Sequence, residues 1–575
     1  MNTNNRVIII ATDYPTNYDK SFRNRLDNLM KRAVRHKDRF KEIDLPDFQA
    51  RVNQNISRLQ TKVEGRYVGV LDLMNYVQCD RSMPDITPYN TDHYLTHAGM
   101  ITLNGIYLYQ YLSRHGFEPH IIQNYSLVDI KAELSPKPLA VCISSNFIYL
   151  DEIADMADEV KAIDPNIPVI VGGLLAKKVL NNGHGVLPQT MKWLRSFHGK
   201  FDQFIVEFRG ERSLVKSLKT LQTDGAINQV PNLAVYEKNG DLSFTKREIE
   251  PLEMDRSCVD WNKIPDPYLR KTVPVTTSRG CSFRCKFCTC WKLCPQVHYK
   301  SVDALKQELL QIQEKNIVKH VRFTDDNFTA NKNRLKKILK MILDQGFTFT
   351  WSTYARAGSL TPDIVPMMRE AGCEFVNIGI ESGSQIILNN MDKRLDREQI
   401  IDGIKLLNAN DIYGEGGFIL GFPGETRETF EDTLDLINRS RLPFFQPNLF
   451  YFSKEMGVAA DQEKYGLTGL ALTWKHDTMD SAQASDLMVE LVEKVKYGYH
   501  EPQVSVWETF RLLRGEGYTP ASIYRLLGLK RDLRVALKNS DGQPPFSNTV
   551  EKILNKLKNL VIQGKASSNP EEEGG

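Results

Sequence analysis

Six short apolar segments recur between Val273 and Phe452, and stretches with helical patterning separate them. The segments are VPVTTS, HVRFTD, FTFTWS, FVNIGIE, GGFILGF and FQPNLFYF. After the first segment, Val302, Leu305 and Leu309 share one face of a helix. This alternation predicts parallel strands in a full or three-quarter (β/α) barrel. In such barrels the functional residues lie at the carboxyl ends of the strands.

A second alternating series precedes the barrel. RVIIIAT, PHIIQ, PLAVCISS and IPVIVGG are candidate strands, and ITLNGIYLYQYL and DEIADMADEVKAI are candidate helices. Short strands rich in valine and isoleucine between amphipathic helices predict an open α/β domain with a Rossmann-like parallel sheet. Ser144, Ser145, Gly172 and Gly173 then lie at one edge of this sheet, where such domains bind ligands.

The whole chain is predicted to be an α/β protein with a helical C-terminal region. NKIPDPYLRK, with two prolines, marks the approach to the barrel. The predicted parts are 1–225 (Rossmann-like domain with an insertion at about 13–95), 226–270 (linker with a hairpin around Asn239-Gly240), 271–452 (barrel), 453–560 (helices) and 561–575 (disordered tail).

Composition excludes several classes of protein. Apolar residues make up 41% and charged residues 25% of the 575 positions, which are globular averages. The formal net charge of +3 gives no polyelectrolyte field, so no nucleic-acid partner is expected. No apolar run approaches the roughly 20 residues of a membrane-spanning helix, and the first residues lack a signal-peptide pattern. We therefore expect a cytoplasmic protein without a membrane partner.

Five of the nine cysteines lie between Cys281 and Cys294. In a reducing compartment, clustered thiols indicate metal or redox ligands. Cys281, Cys285 and Cys288 follow a strand with the spacing C-x3-C-x2-C, and three thiolates on one tight loop suit an iron–sulfur cluster with one open iron. The alternative is a structural zinc site completed by Cys290 or Cys294.

This cysteine spacing resembles the cluster motif of the radical S-adenosylmethionine (SAM) enzymes. The resemblance implies that Cys281, Cys285 and Cys288 hold a 4Fe–4S cluster whose open iron binds SAM. TDDNF, GIESGS and GGFILGFPGET end the second, fourth and fifth strands and match segments that contact SAM in this family. The implied SAM contacts are Phe287, Asp325, Asp326, Glu381, Ser382, Gly417, Ile419 and Gly421.

The N-terminal domain resembles that of cobalamin-binding (class B type) radical SAM enzymes, over roughly residues 95–485. The chain lacks the Asp-x-His-x-x-Gly pattern that supplies an axial histidine in cobalamin-dependent mutases, as many members of the radical SAM class do. The alternative is a domain that has lost cobalamin and only shapes the substrate pocket. The implied cobalamin contacts are Ser144, Ser145, Gly172, Gly173, Gly210 and Glu211.

WKHDTMD resembles a segment of the phosphinate P-methyltransferase-like branch, where His476 either touches substrate or is a satisfied helix-start histidine. The resemblance implies a methyltransferase that uses a 5′-deoxyadenosyl radical and a reductant such as flavodoxin or ferredoxin. Its expected substrate is an unactivated carbon or a phosphinate phosphorus of a small, natural-product-like molecule. Arg356, after the third strand, binds either a substrate anion or a surface ion-pair partner.

Three other functions remain open. Relatives of the cobalamin class also catalyse cyclisation or rearrangement, and no residue excludes this. Radical SAM methylthiotransferases that modify RNA carry three further N-terminal cysteines, whereas Cys79 and Cys142 are the two available before residue 225. A non-catalytic interaction protein would not need the SAM motifs at the strand ends.

Overall fold

A computed structural model of the protein describes residues 4–11, 45–87, 93–97, 100–146, 148, 150–180, 188–502, 504–538 and 542–565. Parts of the predicted insertion at 13–95 and of the predicted tail at 561–575 lie outside these ranges. The strands within them are β1 (Arg6–Ile10), β2 (Thr61–Val63), β3 (Arg66–Val68), β4 (Glu118–Ile122), β5 (Ala140–Ser144), β6 (Val169–Gly172), β7 (Gln203–Ile205), β8 (Leu233–Tyr236), β9 (Leu242–Phe244), β10 (Thr272–Val275), β11 (Ser278–Arg279), β12 (His298–Tyr299), β13 (His320–Phe323), β14 (Thr350–Arg356), β15 (Cys373–Glu381), β16 (Tyr413–Leu420), β17 (Phe444–Leu449), β18 (Thr468–Leu470), β19 (Thr473–His476) and β20 (Met479–Asp480).

The α-helices of the described ranges are α1 (Leu45–Arg58), α2 (Val70–Gln78), α3 (Leu103–Ser113), α4 (Ile130–Glu133), α5 (Leu150–Ile163), α6 (Leu174–Leu180), α7 (Pro188–Arg195), α8 (Glu211–Gln222), α9 (Cys290–Leu293), α10 (Val302–Glu314), α11 (Lys332–Gln345), α12 (Val365–Glu370), α13 (Gln385–Asn390), α14 (Arg397–Ala409), α15 (Arg427–Ser440), α16 (Gln462–Tyr465), α17 (Ser481–Lys494), α18 (Val506–Gly515), α19 (Pro520–Ala536) and α20 (Asn548–Gln563).

The chain forms two compact units. The first contains the described parts of Met1–Thr16, Ile86–Pro274 and Asp303–Ile317, and the second contains the described parts of Asn17–Asp85, Val275–Val302 and Val318–Gly575. The described residues 45–85 thus group with the second unit, although the sequence prediction places them in an insertion of the first domain. Helix α1 packs there against α17, where the Asn55 side-chain amide donates to Ser485 Oγ at 2.8 Å. The predicted five-part division stays a prediction.

The first unit is built on a seven-stranded sheet in the order β4-β1-β5-β6-β7-β8-β9. Its first five strands are parallel, and β8 and β9 add an antiparallel hairpin with Gly240 in its turn. Every residue of β5 is buried, as expected of a parallel strand covered on both faces. The parallel strands run 2-1-3-4-5, a doubly wound order that places a ligand crevice where β1 and β5 adjoin. This sheet confirms the predicted Rossmann-like fold.

A second sheet has six strands in the sequential order β10-β13-β14-β15-β16-β17, of which β13 to β17 belong to the second unit. The strands are parallel from β13 to β17 and correspond to the six predicted segments. Asn331, Asp396 and Thr426 cap the helices α11, α14 and α15 that follow β13, β15 and β16. The open sequential order confirms the predicted barrel in its partial form.

Helix α18 covers the amino-terminal ends of the barrel strands. The buried carboxylate of Glu415 on β16 accepts bonds from Val506 N at 2.8 Å and Ser505 Oγ at 2.6 Å. The Trp507 indole donates to Ser352 Oγ on β14 at 2.7 Å. Because this end of the barrel is filled, the carboxyl ends of the strands are the face available for a site.

The C-terminal region is mostly helical, as predicted, but it also contains the small antiparallel sheet β18-β19-β20. The sequence prediction missed this sheet because its strands are only two to four residues long. Trp474 of β19 is fully buried and donates its indole N–H to Phe450 O at 2.6 Å. The small sheet is thereby fixed against the segment that follows β17.

Candidate functional site

Asp325 anchors the start of the cysteine loop. It follows β13, and its fully buried carboxylate accepts bonds from Thr277 N, Thr277 Oγ1 and Ser278 Oγ, each at 2.6 Å. The neighbouring Asp326 accepts a bond from Gly280 N at 2.9 Å, one residue before Cys281. Two adjacent carboxylates at one strand end therefore hold the backbone that leads into the three cysteines.

Arg334 of α11 completes this anchor. Its guanidinium donates to Thr277 O and Lys300 O at 3.0 Å each, and to Thr277 Oγ1 at 3.1 Å. Burial raises the pKa of Asp325, and the hydrogen bonds that its carboxylate accepts oppose that rise. Asp325 positions the loop in this geometry, and its predicted contact with SAM stays a prediction.

The far side of the cysteine loop is held through Lys286. Its backbone N–H donates to Met391 O at 2.9 Å, and its carbonyl accepts from Val458 N at 3.0 Å. A Cβ on Gly457 would lie 3.1 Å from Lys286 Cα, so a glycine lets the two backbones approach. The ammonium of Lys286 also pairs with Asp461 at 2.5 Å. The loop is thus fixed on both sides of the cysteines.

The three thiols of the loop lie in different electrostatic environments. Burial raises the pKa of Cys281 and of Cys285, whereas hydrogen bonding from Cys290 lowers the pKa of Cys288. No three cysteine, histidine, aspartate or glutamate side chains in the described ranges are placed to bind one metal ion, as the zinc alternative requires. A 4Fe–4S cluster binds each thiolate to a different iron, so the donor set fits it.

Gly280 and Cys294 lie in close contact at the base of the cysteine loop. Gly280 has a φ of +95°, and a Cβ there would lie 2.7 Å from Gln296 O and 3.1 Å from Cys294 Sγ. Cys294 is buried, and its thiol donates to Gln296 O at 3.2 Å. Only glycine fits this contact, which brings the chain before Cys281 against the segment after it.

A buried lysine joins two predicted SAM contacts. Lys393 Nζ lies 2.8 Å from Glu381 Oε1, with the two side chains 7% and 14% exposed, and 5.4 Å from the centroid of the Phe287 ring. Glu381 ends β15 with a φ of +72°, and a Cβ on Gly379 would lie 2.8 Å from its carboxylate. Sequence reasoning missed Lys393 because it lies in a loop outside any recognised motif.

Two other polar residues near this site are bound within the protein. Ser382 is 1% exposed, and its hydroxyl accepts from Ser384 N at 3.1 Å. Arg356 stacks its guanidinium 3.8 Å from the centroid of the Phe283 ring and donates to Arg394 O at 3.1 Å. The contact predicted between Ser382 and SAM stays a prediction.

Strand β16 carries the small residue Gly417 and the apolar residue Ile419 in its carboxyl-terminal half. A Cβ on Gly417 would meet a single heavy atom within 4 Å, Ile378 O at 3.9 Å, so this position opens onto free space. Ile419 and Phe287 are half-buried and pack against the same apolar cluster, which includes Phe422. A small residue beside apolar side chains is the surface that a flat adenine ring requires.

Gly421 is fixed by groups on three sides. Its φ is +83°, and a Cβ would lie 2.2 Å from the Trp474 ring. Its N–H donates to the buried Glu425, and its carbonyl lies 3.2 Å from His476 Nε2. His476 also contacts Thr478 through Nδ1 at 3.0 Å, so both ring nitrogens have partners. This geometry matches the satisfied-histidine alternative for His476.

Glu425 is an unusual carboxyl that sequence reasoning did not identify. Burial raises its pKa to about 8, and Oε1 has no hydrogen-bond partner among the described residues. Glu425 lies in the motif GFPGET, but the sequence does not indicate that its side chain is buried. The structure places it under the backbone of Gly421.

The predicted cobalamin contacts of β5 and β6 meet at one edge of the first unit. Ser145 Oγ donates to Gly172 O at 2.7 Å and accepts from Ala176 N at 2.9 Å, while Ser144 Oγ accepts from Asn104 Nδ2 at 2.7 Å. Gly173 has a φ of +96°, which lets the chain turn sharply into α6. This edge adjoins the crevice expected from the strand order, and its contact with cobalamin stays a prediction.

Gly210 and Glu211 start helix α8, whose N-terminus is already capped by the protein. Glu250 accepts bonds from Arg212 N at 2.8 Å, Ser213 N at 2.9 Å and Ser213 Oγ at 2.6 Å. A Cβ on Gly210 would lie 2.2 Å from Ile205 Cγ2, so this glycine serves close packing. Helix α6, which follows Gly173, is capped in a similar way, because Leu174 N donates to Asn146 Oδ1 at 2.7 Å and Ala176 N donates to Ser145 Oγ at 2.9 Å. The contacts predicted between cobalamin and Gly210 or Glu211 stay a prediction.

Comparison with known proteins finds a family match over the region that contains the cysteine loop. The Radical SAM superfamily matches residues 275–437. An uncharacterized methyltransferase of Pyrococcus horikoshii is 34% identical over 253 residues, covering 42% of this chain and 54% of the relative. An anaerobic magnesium-protoporphyrin IX monomethyl ester cyclase of Rubrivivax gelatinosus is 25% identical over 350 residues, covering 57% and 60%. The chain thus spans about half the length of the curated relatives that it matches.

Two solved structures share the fold. The radical SAM methyltransferase TsrM of Kitasatospora setae, with cobalamin and a [4Fe-4S] cluster bound, gives a TM-score of 0.57 at 14% identity, covering 84% of this chain and 98% of TsrM. The cobalamin-dependent radical SAM enzyme OxsB, with aqua-cobalamin and SAM bound, gives 0.53 at 15% identity, covering 81% and 82%. These matches confirm the predicted fold class, and the family match over residues 275–437 supports the resemblance to radical SAM enzymes. No helix of the described ranges is long and apolar enough to cross a membrane.

Proposed function

We propose that this chain, in which residues 275–437 form a radical SAM domain, is a cobalamin-dependent radical SAM methyltransferase. The expected substrate is an unactivated carbon or a phosphinate phosphorus of a small, natural-product-like molecule. The observation that carries the proposal is the three-cysteine loop, anchored by Asp325 beside the Glu381–Lys393 pair at the carboxyl edge of the barrel sheet.

In this proposal, Cys281, Cys285 and Cys288 hold a 4Fe–4S cluster, which when bound supplies the electron that cleaves SAM. Asp325 and Asp326 fix the loop so that the thiolates do not have to reorganise when the cluster binds.

Lys393 and the apolar residues of the site orient SAM. Lys393 pairs with Glu381 at 2.8 Å and so fixes the position of that carboxylate, which is placed to accept a hydrogen bond from the SAM ammonium or ribose. Phe287 and Ile419 offer apolar surface to the adenine, and Gly417 leaves room for the ring. The closed amino-terminal end of the barrel limits water access from that side.

The first unit supports the cobalamin part of the proposal. Its 2-1-3-4-5 strand order creates a ligand crevice beside β5, where Ser144 and Ser145 lie. When bound, cobalamin would supply the methyl group to be transferred. TsrM and OxsB share this fold and contain cobalamin in their solved structures. A cytoplasmic flavodoxin or ferredoxin is the proposed reductant, and no nucleic-acid partner is proposed.

A cyclase or rearrangement enzyme is the second candidate. The observation that favours it is the alignment with magnesium-protoporphyrin ester cyclases over 50–57% of this chain, more than the 42% aligned with the methyltransferase relative. RNA and ribosomal-protein methylthiotransferases also align, over 28–65% of the chain. We place them lower because that class is expected to carry three further N-terminal cysteines, whereas Cys79 and Cys142 are the two available before residue 225.

The test uses the full chain, reconstituted without oxygen with iron, sulfide and hydroxocobalamin, and supplied with labelled SAM and a reductant. A methyltransferase is expected to form S-adenosylhomocysteine, because the methyl group leaves SAM. Formation of 5′-deoxyadenosine without S-adenosylhomocysteine would instead favour the cyclase candidate. Unchanged SAM in the cofactor-loaded protein would contradict both, and the C281A/C285A/C288A variant is the matched control.

A further inference from the structure

A large cavity lies in the second unit, away from the cysteine loop. Its volume is about 1110 Å³, at the upper end of the range for small-molecule sites. Its walls come from α1, β2, β3, the segment that ends α17, the second half of α19 and the start of α20. Five cationic residues line it, namely Arg58, Lys62, Arg531, Arg534 and Lys538, against the two acidic residues Glu493 and Asp532.

The acidic side chains of this cavity are already paired. Glu493 lies 2.8 Å from Lys538 Nζ and 3.6 Å from Arg58 Nη2, and Asp532 lies 3.1 Å from Arg531 Nη2. The cationic excess of three equals the formal net charge of the entire 575-residue chain. Such a concentration in one concave surface favours an anionic ligand.

Arg534 lines the cavity without a hydrogen bond from its guanidinium to another described residue. Burial lowers its pKa, and the attraction of the Glu493 carboxylate opposes that shift. The nearby Arg531 stacks 4.8 Å from the Tyr499 ring and also lines the cavity. Glu493 also pairs with Lys538 and Arg58, so the half-buried Arg534 guanidinium shares that carboxylate and has no hydrogen-bonded anion of its own. This placement favours a negative charge that arrives with a ligand.

A small chamber lies behind Arg534 and Arg531, which line both spaces. It holds about 20 Å³, room for about one water molecule. Thr61 Oγ1 and His500 Nδ1 line this chamber, are shielded from solvent and have no partner among the described residues, and Thr61 is 1% exposed. A water here would satisfy both groups and contact Arg534, which would set the orientation of the guanidinium.

The cavity is distinct from the proposed SAM site. Phe445, which lines the small chamber, is the second residue of β17 and so lies at the amino-terminal end of the barrel sheet. The cysteine loop, Glu381 and Gly421 all lie at the carboxyl ends of the strands. A ligand in the cavity would therefore not occupy the position where SAM is cleaved.

We propose that this cavity binds a phosphate-bearing small molecule, with Arg534 and Arg531 as the pair that holds the phosphate. The planar guanidinium presents paired N–H donors that match phosphate oxygens. The remaining volume, lined by Val492, Val535 and Ile553 among others, accommodates an organic portion that inorganic phosphate lacks.

The test is isothermal titration of the full chain with inorganic phosphate and with adenosine 5′-monophosphate as probes, at matched ionic strength. We expect saturable binding of both, with the nucleotide at least tenfold tighter because it fills more of the cavity. Arg534→Gln is expected to weaken binding at least tenfold, and Arg531→Gln to act in the same direction if the first variant does not fold.

The matched control is Arg525→Gln, because Arg525 is exposed on the same helix and lines neither cavity. It is expected to bind both probes within twofold of the wild-type protein. The proposal is overturned if neither probe saturates, if phosphate and nucleotide bind equally, or if R534Q and R525Q lose affinity to the same extent.

Discussion

Replacing Asp325 with asparagine tests how the cysteine loop is held. The carboxylate accepts three bonds of 2.6 Å from Thr277 and Ser278, and it is fully buried. Asparagine keeps one acceptor oxygen and turns an N–H₂ group toward the same donors, so at least one charge-assisted bond is lost. One such bond stabilises by about 1.5–3 kcal/mol, which corresponds to roughly tenfold to a hundredfold in the affinity of the loop for its cluster.

The assay is the iron and sulfide content of D325N after anaerobic reconstitution at limiting iron, together with its melting temperature. Asp326→Asn is the control, because Asp326 is exposed and accepts a single bond at 2.9 Å that an amide oxygen can also accept. We expect D325N to lose most of its cluster and D326N to stay near the wild type. Equal cluster content in the two variants would refute the anchoring role of Asp325.

Three further predictions concern the same edge of the barrel. Lys393→Met leaves the Glu381 carboxylate without its cation, so we expect the affinity for SAM in equilibrium binding to fall at least tenfold. The control is R394Q, which should bind SAM normally because the Arg394 side chain is 70% exposed. Equal affinities of the two variants would contradict the pairing role of Lys393. Gly417→Ala adds a methyl group to open space, so it should weaken SAM binding without changing the melting temperature. In G421A the added methyl group would collide with Trp474, so this variant should have a lower melting temperature. Normal SAM binding by G417A would show that Gly417 is not part of the adenine surface. Glu425 has a pKa of about 8 in the folded protein, above its usual 4.5, so its contribution to stability is present below pH 4.5 and is lost as the pH rises through 8. Glu425→Gln should therefore be more stable than the wild type near pH 8. The same difference in melting temperature between variant and wild type at every pH from 5 to 8 would contradict this.

The fold was predictable from sequence because both sheets are built mainly of parallel strands. Buried parallel strands appear as short apolar runs between helices, and β1, β5 and β6 show the valine- and isoleucine-rich form of this pattern. The small sheet from Thr468 to Asp480 was missed because such short strands are held by tertiary contacts, such as the burial of Trp474.

Site residues that belong to a chemical motif could be predicted from the sequence. Site residues that reach the site only through the direction of their side chains could not. The cysteine spacing alone predicts the three cluster ligands, and this assignment stays a prediction. Lys393 and Arg334 lie in segments without a motif, and only the folded chain brings them to Glu381 and Thr277. Asp325 lies in a recognised motif, and its position at a strand end was predicted, but its hydrogen bonds to the cysteine loop were not.

The most direct test of the central claim is the cofactor content of the full chain after anaerobic reconstitution with iron, sulfide and hydroxocobalamin. We expect about four irons and close to one cobalamin per chain, with the iron lost and the cobalamin retained in C281A/C285A/C288A. Iron retained by the triple variant would contradict the assigned cluster ligands. Cobalamin near zero in the wild-type chain would contradict the assignment of the N-terminal unit.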